Sequence, residues 1–289
     1  MQNQFLRVLL IFSVLYSLQP LFGGIAIEKA QRVERLSRDF EDPDWSYDTD
    51  LTEDGKHFWR QKTKRGIPKD MEIVPAPSKN LPDHKYALQI RTYCDEGTTE
   101  AHNQDDLVTP RHSKLDQAFP LTREDRPVLL ALVYVPPVED LEIPWASFGI
   151  RVQAQSDKLK ESGNKLDIYY PSIWIYQSKD RNRSFLMTRL GDGPTPDQEG
   201  PELKKGAGWY TFAIAFDEDG VGYYYYKKGA EIPDRNDCFY ATDDFPGDTD
   251  PRMDRIDYHF LSVGMQAADG KTPAFLVDDL AFYRQKDND

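Results

Sequence analysis

Seven side chains in this 289-residue sequence are of the types that hold a sugar: Gln89, Arg91, Tyr93, Arg151, Gln153, Trp174 and Tyr176. Aromatic rings stack on the apolar faces of pyranoses, while amides and guanidinium groups bond the hydroxyls. These residues lie in short runs where they alternate with apolar neighbours, so together they read as the outer, concave face of one sheet. Concave surfaces with a few converging polar groups are the usual ligand sites. The plainer reading is a solvated face of ordinary cross-strand pairs. A sharper version is a polysaccharide lyase, in which Arg91 and Gln89 neutralise a uronate carboxylate while His102 and Tyr176 or Tyr224 move the proton. Proton abstraction beside a carboxylate needs that neutralisation because charge builds up on it. His102, next to Asn103 and Gln104, reads first as a surface-loop histidine. Whether the face binds or cleaves stays open.

Other chemistries find less support. A retaining glycoside hydrolase sets two carboxylates about 5 Å apart, and no strand-like run carries acids at the needed alternation. Glu139-Asp140-Leu141-Glu142 sits among prolines and reads as a loop. There is no Gly-x-Ser-x-Gly elbow, His-Glu-x-x-His pair, phosphate loop or dinucleotide fingerprint. Calcium takes six to eight oxygens, and three acidic groups offer them for a structural ion: Asp42, Asp44, Asp48, Asp50 and Asp54; Asp217, Glu218 and Asp219; Asp278 and Asp279. The two cysteines, Cys94 and Cys238, either form one disulfide or remain thiols, and are too few for a disulfide framework or a cysteine zinc site.

The elements that must position these groups are strands. From Phe40 onward, Pro and Gly punctuate short runs of Val, Ile, Phe, Tyr and Trp, the pattern of many strands joined by turns. Residues 87–93, 146–153 and 172–177 alternate, whereas 127–135 is apolar throughout, as a strand buried on both faces would be. In 209–216, Tyr210, Phe212, Ile214 and Phe216 share a face. Asp217-Glu218-Asp219-Gly220 then makes a hairpin turn into 221–227. In 274–283, Leu276, Leu280 and Phe282 share a face with Asp278. Residues 191–206 and 231–258 read as loops, and no long helix is expected. Strands at this spacing without helices between them predict an all-β fold, an antiparallel two-sheet β-sandwich.

The order Gly208-Trp209-Tyr210-Thr211-Phe212, then Val221-Gly222-Tyr223-Tyr224-Tyr225-Tyr226-Lys227-Lys228-Gly229, then Phe275-Leu276-Val277-Asp278-Asp279-Leu280-Ala281-Phe282 resembles the laminin-G and concanavalin A-like lectin/glucanase superfamily. Phe40–Tyr47 with Gln104-Asp105-Asp106-Leu107 is also similar to a group of uncharacterised exported bacterial proteins of that fold. The resemblance implies a jelly-roll sandwich and transfers no catalytic residue, because members range from lectins to hydrolases.

Compartment and charge complete the reading. Arg7, the apolar run Val8–Tyr16, Pro20 and the small-x-small exit Gly24-Ile25-Ala26 describe a secretory signal peptide over residues 1–26. Its apolar core is shorter than the ~20 residues of a membrane span. A helical or disordered stem over 27–39, a sandwich over 40–285 and an acidic tail over 286–289 would follow, in a secreted, periplasmic or cell-surface protein with no later membrane segment. The formal charge of −13 repels nucleic acid and anionic lipid. It also weighs against a strongly anionic polysaccharide unless a local basic groove overrides it. A glycan or polysaccharide is the expected partner.

Overall fold

The structure, a computed structural model, describes residues 24–27, 30–63, 65–77, 81, 84–93, 103–109, 121–161, 168–189, 197–203, 207–244, 251–265 and 270–285. Its strands are β1 (Gln31–Arg32), β2 (Asp70–Pro75), β3 (Tyr86–Arg91), β4 (Asn103–Val108), β5 (Leu121–Thr122), β6 (Val128–Val135), β7 (Trp145–Gln155) and β8 (Ile168–Tyr169). After them come β9 (Ser172–Ser178), β10 (Arg183–Arg189), β11 (Gln198–Leu203), β12 (Gly208–Phe216), β13 (Gly222–Lys228), β14 (Cys238–Ala241), β15 (Arg255–Met265) and β16 (Phe275–Arg284). They form two antiparallel eight-stranded sheets. The first runs β14-β13-β12-β6-β16-β3-β2 with β1 on β16; the second runs β11-β10-β9-β7-β15-β4 with β5 on β15 and β8 on β7. The sheets pack face to face as an antiparallel β-sandwich of the jelly-roll kind. Among the described residues the only α-helix is the single turn Asp157–Glu161.

The inner faces follow from alternation. Leu129, Ala131, Val133, Phe212, Ile214, Phe216, Val277 and Phe282 of the first sheet meet Phe148, Ile150, Val152, Ile173, Ile175, Leu261 and Val263 of the second in one core. β6 is apolar at every position because both of its faces are covered. Leu132 packs outward with Trp209 and Leu81, and Val128 packs outward with Ile27, Ala213 and Tyr225. Residues 24–27, Ala76 and Leu81 therefore lie on the outside of the first sheet, and the Tyr225 hydroxyl donates to the Ile25 carbonyl at 3.0 Å.

Several expectations change. Residues 27–39 are not a stem ahead of the domain. β1 pairs with β16, and Ile27, Val33 and Leu36 are buried. The core begins before residue 40 because this short stretch brings its few apolar side chains to the sheet instead of coiling into a helix. The polar stretch 191–206 contributes β11, and 231–258 contributes β14 and the start of β15. In β16 a register shift between Val277 and Leu280 resets the alternation. Leu276 faces outward beside Trp209, while Leu280 and Phe282 face the core. Residues 1–23, the body of the expected signal peptide, and the acidic tail lie outside the described residues.

Candidate functional site

The outer face of the second sheet carries polar, aromatic and small side chains. While Phe148, Ile150 and Val152 of β7 turn into the core, Ser147, Gly149, Arg151 and Gln153 turn out. On β15, Tyr258, Phe260, Ser262 and Gly264 do the same. Register sets Gly149 beside Ser262 and Ser147 beside Gly264, so four residues with little or no side chain meet at the centre. On one side Trp174 pairs with Gly149 and Tyr176 with Ser147. On the other, Asp106 pairs with Ser262 and Gln104 with Gly264. The result is a trough of small residues between an aromatic row and a polar row, filled at Gly149 by the Trp174 ring and lined largely by buried side chains, Arg151, Gln153, Trp174, Phe260 and Ser262 among them. Gly149 is a requirement of this geometry, since a Cβ there would stand 2.9 Å from the Trp174 ring.

The rings of this face fall into two groups. Trp174 and Tyr176 have ring centroids 6.1 Å apart, Tyr176 stacks on Phe185 at 5.8 Å, and Phe185 meets Trp145 edge-on at 6.3 Å. At the other end Phe260 contacts Tyr258 at 5.7 Å and Tyr170 at 6.2 Å. Arg151 joins the two groups. Its guanidinium carbon lies 4.4 Å from the Phe260 ring centroid, 5.1 Å from Trp174 and 5.5 Å from Tyr170, and its Nε donates to Ser172 Oγ at 3.2 Å. Trp174 is buried, and its Nε1 has no hydrogen-bond partner among the described residues. Burial pushes the Tyr176 phenol up. Burial and then Tyr170 push Tyr258 up to about 12, with Arg60 opposing them. Both phenols are therefore neutral donors near neutral pH.

The seven sequence candidates divide between two faces. Arg151, Gln153, Trp174 and Tyr176 converge on this trough. Gln89, Arg91 and Tyr93 do not, because β3 belongs to the other sheet and presents them on the opposite side of the sandwich. There they make ordinary neighbour contacts. Gln89 Nε2 donates to Glu72 at 2.6 Å, Arg91 lies 3.7 Å from Asp70, and Lys69 sits over the Tyr93 ring. Alternation fixes which residues share a strand face but not which sheet the strand joins, and that is where the expectation failed. Within the trough Gln153 is tied to Asp257 at 2.8 Å and closes its end. Reading outward positions on β15 as on β7 would have found Tyr258 and Phe260. Trp145, Tyr170 and Phe185 carry no sequence signal that separates them from core aromatics.

The carboxylates of this face are held apart. Asp106 accepts from Ser262 at 2.7 Å and Gln104 at 2.8 Å, and Asp257 accepts from Gln153 and Gln155. Ser262, the partner of Asp106, lies five residues along β15 from Asp257, about 17 Å at 3.4 Å per residue. That is beyond the separation of either glycosidase geometry. At the far edge Asp197 is held by both nitrogens of an Arg189 fork, at 2.7 and 2.6 Å. Tyr224, one of the tyrosines considered for a lyase, is fully buried in the core, and His102 lies outside the described residues.

Of the three acidic groups considered for calcium, Asp50 is consumed by Arg38 and two indoles. Asp217 caps its own turn through the Asp219 and Val221 amides. Asp278 alone joins a convergent set, on the other side of the molecule from the trough. The shift in β16 buries its carboxylate 2.7 Å from His84 Nδ1, and Glu41 lies 3.9 Å from the same nitrogen. Burial pushes Asp278 up to about 7, and His84 opposes it. One imidazole and two carboxylates fit a nitrogen-accepting divalent ion better than calcium, which wants oxygens alone. Cys238 opens β14 with its sulfur 3.4 Å from the Tyr240 carbonyl; Cys94 lies outside the described residues.

No protein-family model and no curated protein matches the chain. Among solved structures it is similar to the endo-β-1,4-glucuronan lyase of the fungus Trichoderma reesei, at 11% identity over 88% of this chain and 95% of that one, TM-score 0.46. It is also similar to a putative β-glucanase from Mycobacterium abscessus, at 12% identity over 85% and 98%, TM-score 0.47. A third likeness is to the Emp47p carbohydrate recognition domain, at 10% identity over 90% and 99%, TM-score 0.41. At these identities and TM-scores no residue's role is carried across from any of them.

Proposed function

We propose that this chain binds a glycan along the trough of its second sheet and does not cleave it. The observation that carries the reading is the pair of ring groups, Trp145 to Trp174 and Tyr170 to Tyr258, joined by Arg151 beside a row of Ser147, Gly149, Ser262 and Gly264. Trp145, Tyr170, Tyr176 and Tyr258 are the partly exposed rings of this face, and partly exposed rings offer sugars a face to stack on, with the Gln104 amide and the tyrosine hydroxyls beside them to bond the sugar hydroxyls. The separation of Asp106 from Asp257 supports binding over hydrolysis. The sequence of residues 1–26 supports export, so the glycan would be met outside the cytoplasm. No helix among the described residues is long and apolar enough to cross a membrane.

The test is a glycan array with the purified chain, with absorbance at 235 nm read on the same samples. Binding is expected, with flat absorbance, and Trp174→Ala and Tyr176→Ala should each weaken it by about tenfold, the equivalent of ~1.4 kcal/mol. Near-UV circular dichroism would show that the variants stay folded. Binding indifferent to both substitutions, or no binding on a broad panel, would remove the trough from consideration. A rise at 235 nm would mean an unsaturated uronate product and an enzyme.

A further inference from the structure

We propose that the trough selects acidic glycans, with Arg60, Tyr170 and Tyr258 seating an anionic substituent, a carboxylate or a sulfate, at one end. This deepens the reading above and rests on it. In a chain with 49 acidic residues against 36 lysines and arginines, an arginine has carboxylates in plenty to pair with. Arg38 takes Asp50, Arg183 takes Glu199, Arg189 takes Asp197 and Arg252 takes Asp243. Arg60 takes none: among the described residues no carboxylate pairs with it. Its guanidinium instead lies 4.3 Å from the Tyr258 ring centroid, half-exposed at the mouth of the trough.

The position is built. The Arg60 amide donates to the Val108 carbonyl at 2.7 Å, which extends the second sheet beyond β4, and the Arg60 carbonyl accepts the Tyr47 hydroxyl. The backbone is thus fixed on both sides before any ligand arrives, which lowers the ordering cost of binding. The Tyr258 side chain interacts with both Tyr170 and Arg60, and the Tyr170 ring lies within reach of Arg151. Two phenols and a guanidinium fork therefore meet at one place, and a planar fork on an oxyanion makes short, charge-assisted hydrogen bonds. Asp257, next to Tyr258 in β15, is already held by Gln153, Gln155 and Arg255. The net charge of −13 opposes a polyanion at long range, but it is screened beyond about 8–10 Å at physiological salt. The local fork decides the contact.

The experiment compares the full chain on three immobilised probes: polygalacturonate, dextran sulfate and a neutral mixed-linkage β-glucan. At least one anionic probe is expected to bind tenfold or more tighter than the neutral one, and which of the two does so identifies carboxylate or sulfate. Arg60→Gln should cut the anionic-to-neutral preference about tenfold. Tyr258→Phe, which keeps the ring and removes the hydroxyl, should cut it severalfold. A merely structural role would lower all three affinities together. If the neutral glucan binds and neither polyanion does, or the preference survives both substitutions, the acidic subsite is wrong and the trough reading stands. If no probe binds, both fail.

Discussion

The Asp50 carboxylate shows how much one side chain can organise. It receives Arg38 Nε at 2.9 Å and the indoles of Trp45 and Trp59 at 3.0 and 2.8 Å, while the Arg38 guanidinium lies 3.4 Å above the Phe58 ring. Removing one partner of a largely buried ion pair strands the other, so Asp50→Ala should cost about 3 kcal/mol, read as a lowered urea midpoint with an unchanged slope. Asp278 behaves differently. Its carboxyl is raised by burial, so the folded state holds a proton that the unfolded state releases. In chelator-treated protein its contribution is present below about pH 4 and is lost as the pH rises through about 7. Stability of Asp278→Asn should lack that decline. A divalent transition ion that enters between Glu41, His84 and Asp278 would oppose it by holding the ionised form, which zinc-dependent melting of wild-type but not His84→Ala protein would reveal.

At the scale of elements, strand identity was legible because burial on one face writes alternation into the sequence and burial on two faces erases it. β6, β7, β9 and β12 could all be recognised on that ground. What alternation cannot say is which sheet a strand joins, since partners of β3 and β7 are separated by loops rather than by pattern. Gln89 and Arg151 look alike in sequence and end on opposite sides of the molecule. The register shift in β16 is similarly silent, because two acids inside an apolar strand read equally as a bulge or as one ordinary outward face. Turn chemistry was more readable. Gly220 has φ 78°, and a Cβ there would stand 2.4 Å from the Met253 carbonyl oxygen. Gly220→Ala should therefore cost about 2 kcal/mol in the β12–β13 hairpin by strain and steric conflict together, again read by urea unfolding. Gly149→Val tests the trough floor: its side chain would push the Trp174 ring upward, and tryptophan fluorescence should shift with a smaller loss of stability than of glycan affinity.

For the molecule as a whole, the two sheets are not equivalent. The outside of the first is roofed by residues 24–27 and by Ala76 and Leu81, and the outside of the second carries the trough. The roof is energetically part of the fold. Ile27→Ala should lower stability by about 2 kcal/mol, and an unchanged melting temperature would mean that this segment does not dock. Gly24 meanwhile sits against Cys238 and Tyr225, on the roofed side. Any support joined to the chain ahead of residue 24 must then approach from the back of the sandwich. A molecule held that way works like a wall bracket, with its mounting plate behind and the outer face of its second sheet in front, and two copies side by side on one surface would turn the same face to whatever passes.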